Sequence, residues 1–235
     1  MRKDAPDTVA VKLENISFIP NRKTILDDIS LEIKTERTFT LIGRTGSGKS
    51  TLLRMINRLS EPTTGSVFVG GKNIDDWDVR KLRRYAALIP QSYALPNIEV
   101  SEIFKYACQI LCIKYDEELM IKMLSDVELP AEVLSKKSGN LSGGERQRVA
   151  ICRTLLADPK ILLADEPTAN LDPASALMVA KLLHDFSHDG KTVVWVTHDP
   201  ILASKFTDSG VLLAAGKIVA EGDLKELAER EEYRK

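Results

Sequence analysis

The chain has 235 residues, 43% of them hydrophobic and 29% charged, and its 33 basic and 34 acidic side chains leave a formal net charge of −1. That length and apolar fraction predict one large domain with ample core, or a domain carrying a subdomain. The balanced charge lacks the basic excess that nucleic-acid binding calls for, so no nucleic acid is expected as a partner.

No run approaches the roughly 18 apolar residues of a membrane-crossing helix. Met1–Asp7 has no apolar signal core behind it, so the expected location is the cytoplasm, and any membrane it serves must be spanned by another chain. Val9–Leu13 alternates like an edge strand, and Ile25–Ile33 contains a second strand, with a turn at Pro20–Lys23 between them. Thr38–Ile42 reads as a buried strand, Thr51–Arg58 as a helix, Ser66–Val69 as a short strand, Asp78–Arg84 as a short helix, and Ala86–Ile89 as an apolar strand ending at Pro90 and Gln91. From Val100 to about Val127 the period becomes helical. Ile103, Phe104, Ala107, Ile110 and Leu111 form one stripe, and Leu119, Met120, Met123 and Leu124 another.

Residues 98–142 are therefore predicted as a helical insert between two halves of an α/β core, 9–97 and 143–222. Cys108 and Cys112, four apart, are expected to share a helix face and to pack in the core, since no nearby histidine completes a metal site. With Cys152 they make an odd number of cysteines, which fits a reducing compartment. A long helix opens at Leu141–Glu145 and runs through Ala157; Lys160–Asp165 is a buried strand. Pro173–His188 is a helix with proline in its first turn and with His184 and His188 solvated. Thr192–Thr197 is a second buried strand and Pro200–Phe206 a short helix. Val211–Ala215 and Ile218–Ala220 form a hairpin, and 223–233 is an exposed closing helix. Strands alternating with helices predict an α/β fold: a mainly parallel sheet core, antiparallel strands at the N-terminus, and the inserted helices. Each motif occurs once, so 1–235 is expected to be a single domain.

The chemistry centres on Gly43-Arg44-Thr45-Gly46-Ser47-Gly48-Lys49-Ser50-Thr51, a strand-to-helix loop of the form G-x-x-x-x-G-K-[ST]. Backbone N–H groups and a helix N-terminus there offer donors and positive potential to a phosphate chain. Lys49 would bridge the terminal phosphates and the Ser50 hydroxyl would bind Mg²⁺, as in phosphate-loop NTPases. Ile161–Glu166 is an apolar strand ending in two carboxylates, which are costly there without a cation. Asp165 can hold the Mg²⁺ water shell, and Glu166, one residue on, can orient or deprotonate an attacking water. Ser142-Gly143-Gly144 opens a helix and is a second potential anion site. Asp172 is placed to cap the helix that begins at Pro173.

Taken together, over about residues 9–222, these motifs resemble the ATP-binding subunits of ABC transporters, P-loop NTPases whose signature is matched by Leu141-Ser142-Gly143-Gly144-Glu145-Arg146-Gln147-Arg148. The resemblance implies ATP as substrate, Mg²⁺ as cofactor, and a second ATPase subunit packed head to tail, most simply another copy. Leu141–Glu145 of one subunit would then close on the ATP held by the other. It implies that Gln91 touches Mg²⁺ and the attacking water and links the site to a transmembrane permease. It implies that His198 contacts the γ-phosphate, and that Asp172, in Ala169-Asn170-Leu171-Asp172, crosses to the partner site. The catalytic set it implies is Glu166, His198, Lys49 and Gln91, on a subunit held at the inner face of the membrane through its permease. A finer likeness is to the compact ATPases of metal-ion export systems, with parts shared by phosphate-import and lipoprotein-release ATPases.

Two positions depart from the family pattern. The slot of the aromatic residue that stacks on adenine falls on Pro20, leaving Phe18 or Pro20 to cover the ring; Ala164 stands where a larger aliphatic is usual. Rival readings are a soluble ABC ATPase of DNA repair or translation, and a nucleotide-binding regulator that does not hydrolyse. The absence of a heptad-bearing insert and of a second cassette speaks against the first, and the presence of Glu166 and His198 against the second.

Overall fold

The computed structural model describes residues 8–232 except Tyr93 and Asn170, with backbone only for Glu231 and Glu232. The expected first residues Met1–Asp7, Asn170 of the crossing loop and position 233 of the closing helix lie outside the described residues. In chain order the elements are β1 (Val9–Phe18), β2 (Leu26–Lys34), β3 (Thr38–Ile42), α1 (Lys49–Ile56), β4 (Thr64–Val69), β5 (Lys72–Asn73), α2 (Val79–Tyr85), β6 (Ala86–Ile89), α3 (Val100–Leu111), α4 (Glu117–Asp126), α5 (Gly143–Leu155), β7 (Ile161–Asp165), α6 (Pro173–His188), β8 (Thr192–Val196), α7 (Pro200–Ala203), β9 (Ser209–Ala214), β10 (Lys217–Gly222) and α8 (Leu224–Glu232).

The strands form two sheets. One has the order β10-β9-β3-β8-β7-β6, parallel except for its edge strand β10; the other, β2-β1-β4-β5, is antiparallel. This is the expected α/β architecture, and the inner strands of the larger sheet show why it forms. Along β7, Ile161 and Leu163 face one apolar cluster and Leu162 and Ala164 another; along β8, Val194 and Val196 alternate with Val193 and Trp195 in the same way. The period of two therefore buries both faces of the sheet. The first cluster joins this sheet to the antiparallel one through Leu52, Leu53 and Met55 of α1; the second lies under α6, α7 and α8. The insert has its own core around Phe104, Met120 and Leu124. It docks on α5, whose Val149 and Cys152 face the insert while Ile151 faces the sheet.

Several expectations need correction. β1 is not an edge strand: it bonds to β2 on one side and β4 on the other. Its alternation reports one wet face, where Lys12 pairs with Glu14 and Glu32, and says nothing about position within the sheet. The closing helix α8 is not wholly exposed, because Leu224 and Leu227 are buried beneath it. In the insert, Ile110 and Leu119 leave their predicted stripes and face solvent, Ile110 being 65% exposed. Cys108 is buried, but α3 ends at Leu111, and Cys112 follows in a left-handed conformation (φ 55°), exposed rather than in the core. His184 is half-buried, with its Nδ1 3.0 Å from the Phe206 carbonyl.

Candidate functional site

β3, buried at all five positions, delivers the chain into the Gly-rich loop. At Gly43 (φ 147°) a Cβ would lie 2.2 Å from the Leu213 carbonyl of β9, so only glycine lets the loop leave the sheet here. Gly48, left-handed at φ 105°, then starts α1 and turns its first N–H groups toward the cleft above the strands. Lys49 is buried and curls back over the loop, donating to the carbonyls of Gly43 (2.7 Å) and Arg44 (3.0 Å).

The other strands bring their carboxyl ends to the same cleft, where ligands of open α/β sheets bind. From β7, Asp165 is 1% exposed; its Oδ1 accepts the Ser50 hydroxyl at 2.7 Å, while its Oδ2 has no hydrogen-bond partner and lies 3.7 Å from Arg54 Nη2. Burial pushes this carboxyl up from its ordinary pKa, against the opposing pull of Ser50, Arg54 and Lys49. A hydroxyl beside a buried carboxylate with an unpartnered oxygen is hard-oxygen chemistry that suits Mg²⁺. Glu166 leaves the strand at φ 50°, an uncommon conformation for a side-chain-bearing residue. Its Oε2 accepts the Gln91 amide N–H at 2.9 Å and lies 3.3 Å from His198 Nδ1. Gln91, Glu166 and His198 follow β6, β7 and β8, which are neighbours in the sheet, so the strand order itself assembles the trio.

These residues line a cleft of about 710 Å³. Thr45, Gly46, Gly48, Lys49, Ser50 and Thr51 form its floor, with Gln91, Glu166 and His198 at one end. Lys23, Thr24, Ile25, Ala215 and Gly216 form the other end. Gly43, Arg44 and Ser47 belong to the loop but do not line the cleft.

The remaining predicted residues lie elsewhere. Leu141 is buried in the core of the insert. Ser142 caps α5 in a reciprocal box: its hydroxyl accepts the Glu145 N–H at 3.2 Å and its N–H donates to the Glu145 carboxylate at 2.7 Å. Gly143 has open space where a side chain would be. None of Leu141–Glu145 lines the cleft of its own chain. Asp172 caps α6, accepting from the N–H groups of Ala174 (3.1 Å) and Ser175 (3.0 Å). Phe18 packs against the core and Pro20 sits in a turn; neither lines the cleft.

Sequence reasoning missed Arg54 and the whole Lys23–Ile25 and Ala215–Gly216 end. Arg54 was findable, since it lies one helical turn beyond Ser50. The second group carried no signal, because a turn and a hairpin tip that meet only in space have no shared pattern.

The sequence matches the family described as ABC transporter over residues 26–169. The maltose/maltodextrin import ATP-binding protein MalK of Escherichia coli (strain K12) is 35% identical over 221 residues, which is 93% of this chain and 59% of that protein. The methionine import ATP-binding protein MetN of Haemophilus influenzae (strain 86-028NP) is 35% identical over 229 residues, 92% of this chain and 66% of that one. The chain thus spans less than two thirds of the length of these relatives. Among solved structures, the dimeric post-hydrolysis state of the ATP-binding cassette MJ0796, bound to ADP and Pi, superimposes with a TM-score of 0.80 at 32% identity, covering 91% of this chain and 98% of that one. CbiO1 from Clostridium perfringens, part of an ABC transporter complex, gives 0.81 at 28% identity over 96% of this chain and 93% of its own.

Proposed function

This chain belongs to the ABC transporter family of ATP-binding proteins, and from that premise we propose that it hydrolyses ATP to power solute movement through a separate permease. One observation carries the reading: the carboxylate of Glu166, held by Gln91 and His198 beside the phosphate loop and the Ser50–Asp165 pair. The loop amides and the start of α1 hold the phosphate chain, and the Lys49 ammonium bridges its terminal phosphates. Ser50 and Asp165, with Gln91, would hold Mg²⁺, which when bound would supply charge neutralisation on the phosphate oxygens. Glu166 orients a water in line with the γ-phosphorus and takes its proton as the bond to the bridging oxygen of ADP breaks. Gln91 and His198 keep that carboxylate aimed, and His198 adds stabilisation at the γ-phosphate.

Two copies pack head to tail, so that Ser142-Gly143-Gly144 of one completes the site of the other and Asp172 orders it. The position of Leu141–Glu145 outside their own cleft supports this, as does the dimeric MJ0796 cassette. The permease docks on an apolar groove of about 370 Å³ between insert and core, with Tyr106 and Ile110 exposed along it, and so holds the chain at the inner face of the membrane. No helix of the described residues is long and apolar enough to cross a membrane, which fits a separate spanning subunit.

The test is Mg-ATP turnover and molar mass by light scattering, for wild type and Glu166→Gln. Turnover by wild type, with a variant that is inert and dimerises only when ATP is added, is the expected result. A variant as fast as wild type would remove Glu166 from its role.

A further inference from the structure

A nucleotide seated on the phosphate loop can lie in this cleft in only one sense, because β3 sits in the middle of its sheet. Gln91, Glu166 and His198 follow strands on one side of β3, while Ala215 and Gly216 turn the β9–β10 hairpin on the other. With the reactive phosphate toward the trio, sugar and base must lie toward Gly216 and the Lys23–Ile25 segment. That end is poor in means of reading a base. Among the described residues no aromatic side chain lines it: Phe18 is packed on the core, and Trp77 and Tyr85 pair with each other away from the cleft.

Three of its backbone groups are already engaged. The Gly216 N–H donates to the Ser47 carbonyl (3.2 Å), the Gly216 carbonyl accepts from Asp27 (2.9 Å), and the Ile25 N–H donates to Phe18 (2.8 Å). The side chains here are one half-buried aliphatic, Ile25, the exposed methyl of Ala215, and the exposed side chains of Lys23 and Thr24. A flexible ammonium is a donor with no fixed direction and serves a ring nitrogen or a carbonyl of any base. Strong rejection of a wrong ligand needs buried polar groups that it would leave unpaired, and among the described residues no buried polar side chain lines this end.

Building on the ATPase reading above, we propose that this cleft selects the triphosphate but not the base, so that ATP, GTP and CTP are all bound as ligands of similar affinity. In calorimetric titration of the whole chain with each nucleotide in Mg²⁺ buffer, the three dissociation constants fall within about tenfold of one another. Binding of ATP more than about tenfold tighter than CTP overturns this inference and leaves the ATPase reading standing. Failure of all three to bind overturns both. Lys23→Tyr, an exchange at an exposed position, puts a ring at the base end. It is expected to favour ATP over CTP by about threefold or more relative to wild type, because the two-ring purine offers a larger face than the pyrimidine to stack on the added ring. Unchanged ratios would mean that the base does not reach this end, and the proposal would fall.

Discussion

Cys112 and Cys152 carry the same thiol in opposite surroundings. Cys152 is buried between α5 and the insert, and burial pushes its pKa up to about 12; Cys112 stands exposed at the end of α3. Since the thiolate is the reactive form, iodoacetamide at mildly alkaline pH should modify Cys112 in the native protein and spare Cys152. Peptide mass spectrometry reads this directly, and labelling of Cys152 before unfolding would contradict the packing described. At the same scale Asp165 and Glu166 show how adjacent acids divide roles. The first keeps the strand's buried side, against Ser50; the second turns out through a left-handed residue to meet Gln91 and His198.

Helices α5 and α6 both start on side chains that the proposed mechanism also uses. Glu145 closes the capping box of α5, and its bonds to the backbone N–H and hydroxyl of Ser142 hold its carboxyl below its usual 4.5. A depressed acid stabilises the fold above its unfolded pKa and loses that contribution as the pH falls through its folded value. Glu145→Ala should therefore cost about 1 kcal/mol near neutral pH, a typical capping value. The gap to wild type should close on acidification below the usual carboxylate range. Urea unfolding at a series of pH values measures it; a gap that persists unchanged in acid would mean that the box contributes nothing through its charge.

The cleft is also the seam of the molecule. Gly216 of the larger sheet bonds to Ser47 and receives Asp27 of the antiparallel one, and Ile25 lies against Gly48. Mg-ATP in this seam should stabilise both sheets together, by roughly 2.7 kcal/mol at a hundredfold excess over the dissociation constant. In scanning calorimetry we expect one transition that moves up with Mg-ATP and moves less with ATP plus EDTA. Two transitions of which only one responds would show that the sheets do not unfold as a unit.

The phosphate loop, the Asp165-Glu166 strand end and the capping residues were legible in the sequence because each depends on neighbours within a few positions, where chain geometry fixes the outcome. The order of Gln91, Glu166 and His198 along the chain was legible as well, but their meeting on one carboxylate required β6, β7 and β8 to lie side by side. Alternation in Val9–Leu13 could report a wet face but not which strands would flank it. It could not tell that Phe18 turns to the core, nor that a turn at Lys23–Ile25 closes the cleft opposite the tip at Ala215–Gly216. Local residue pattern thus determined what the chain can do to a phosphate chain. What surrounds the rest of the nucleotide was decided only by tertiary structure, since those walls come from segments about 190 residues apart whose pairing is set by burial, which is blind to sequence distance.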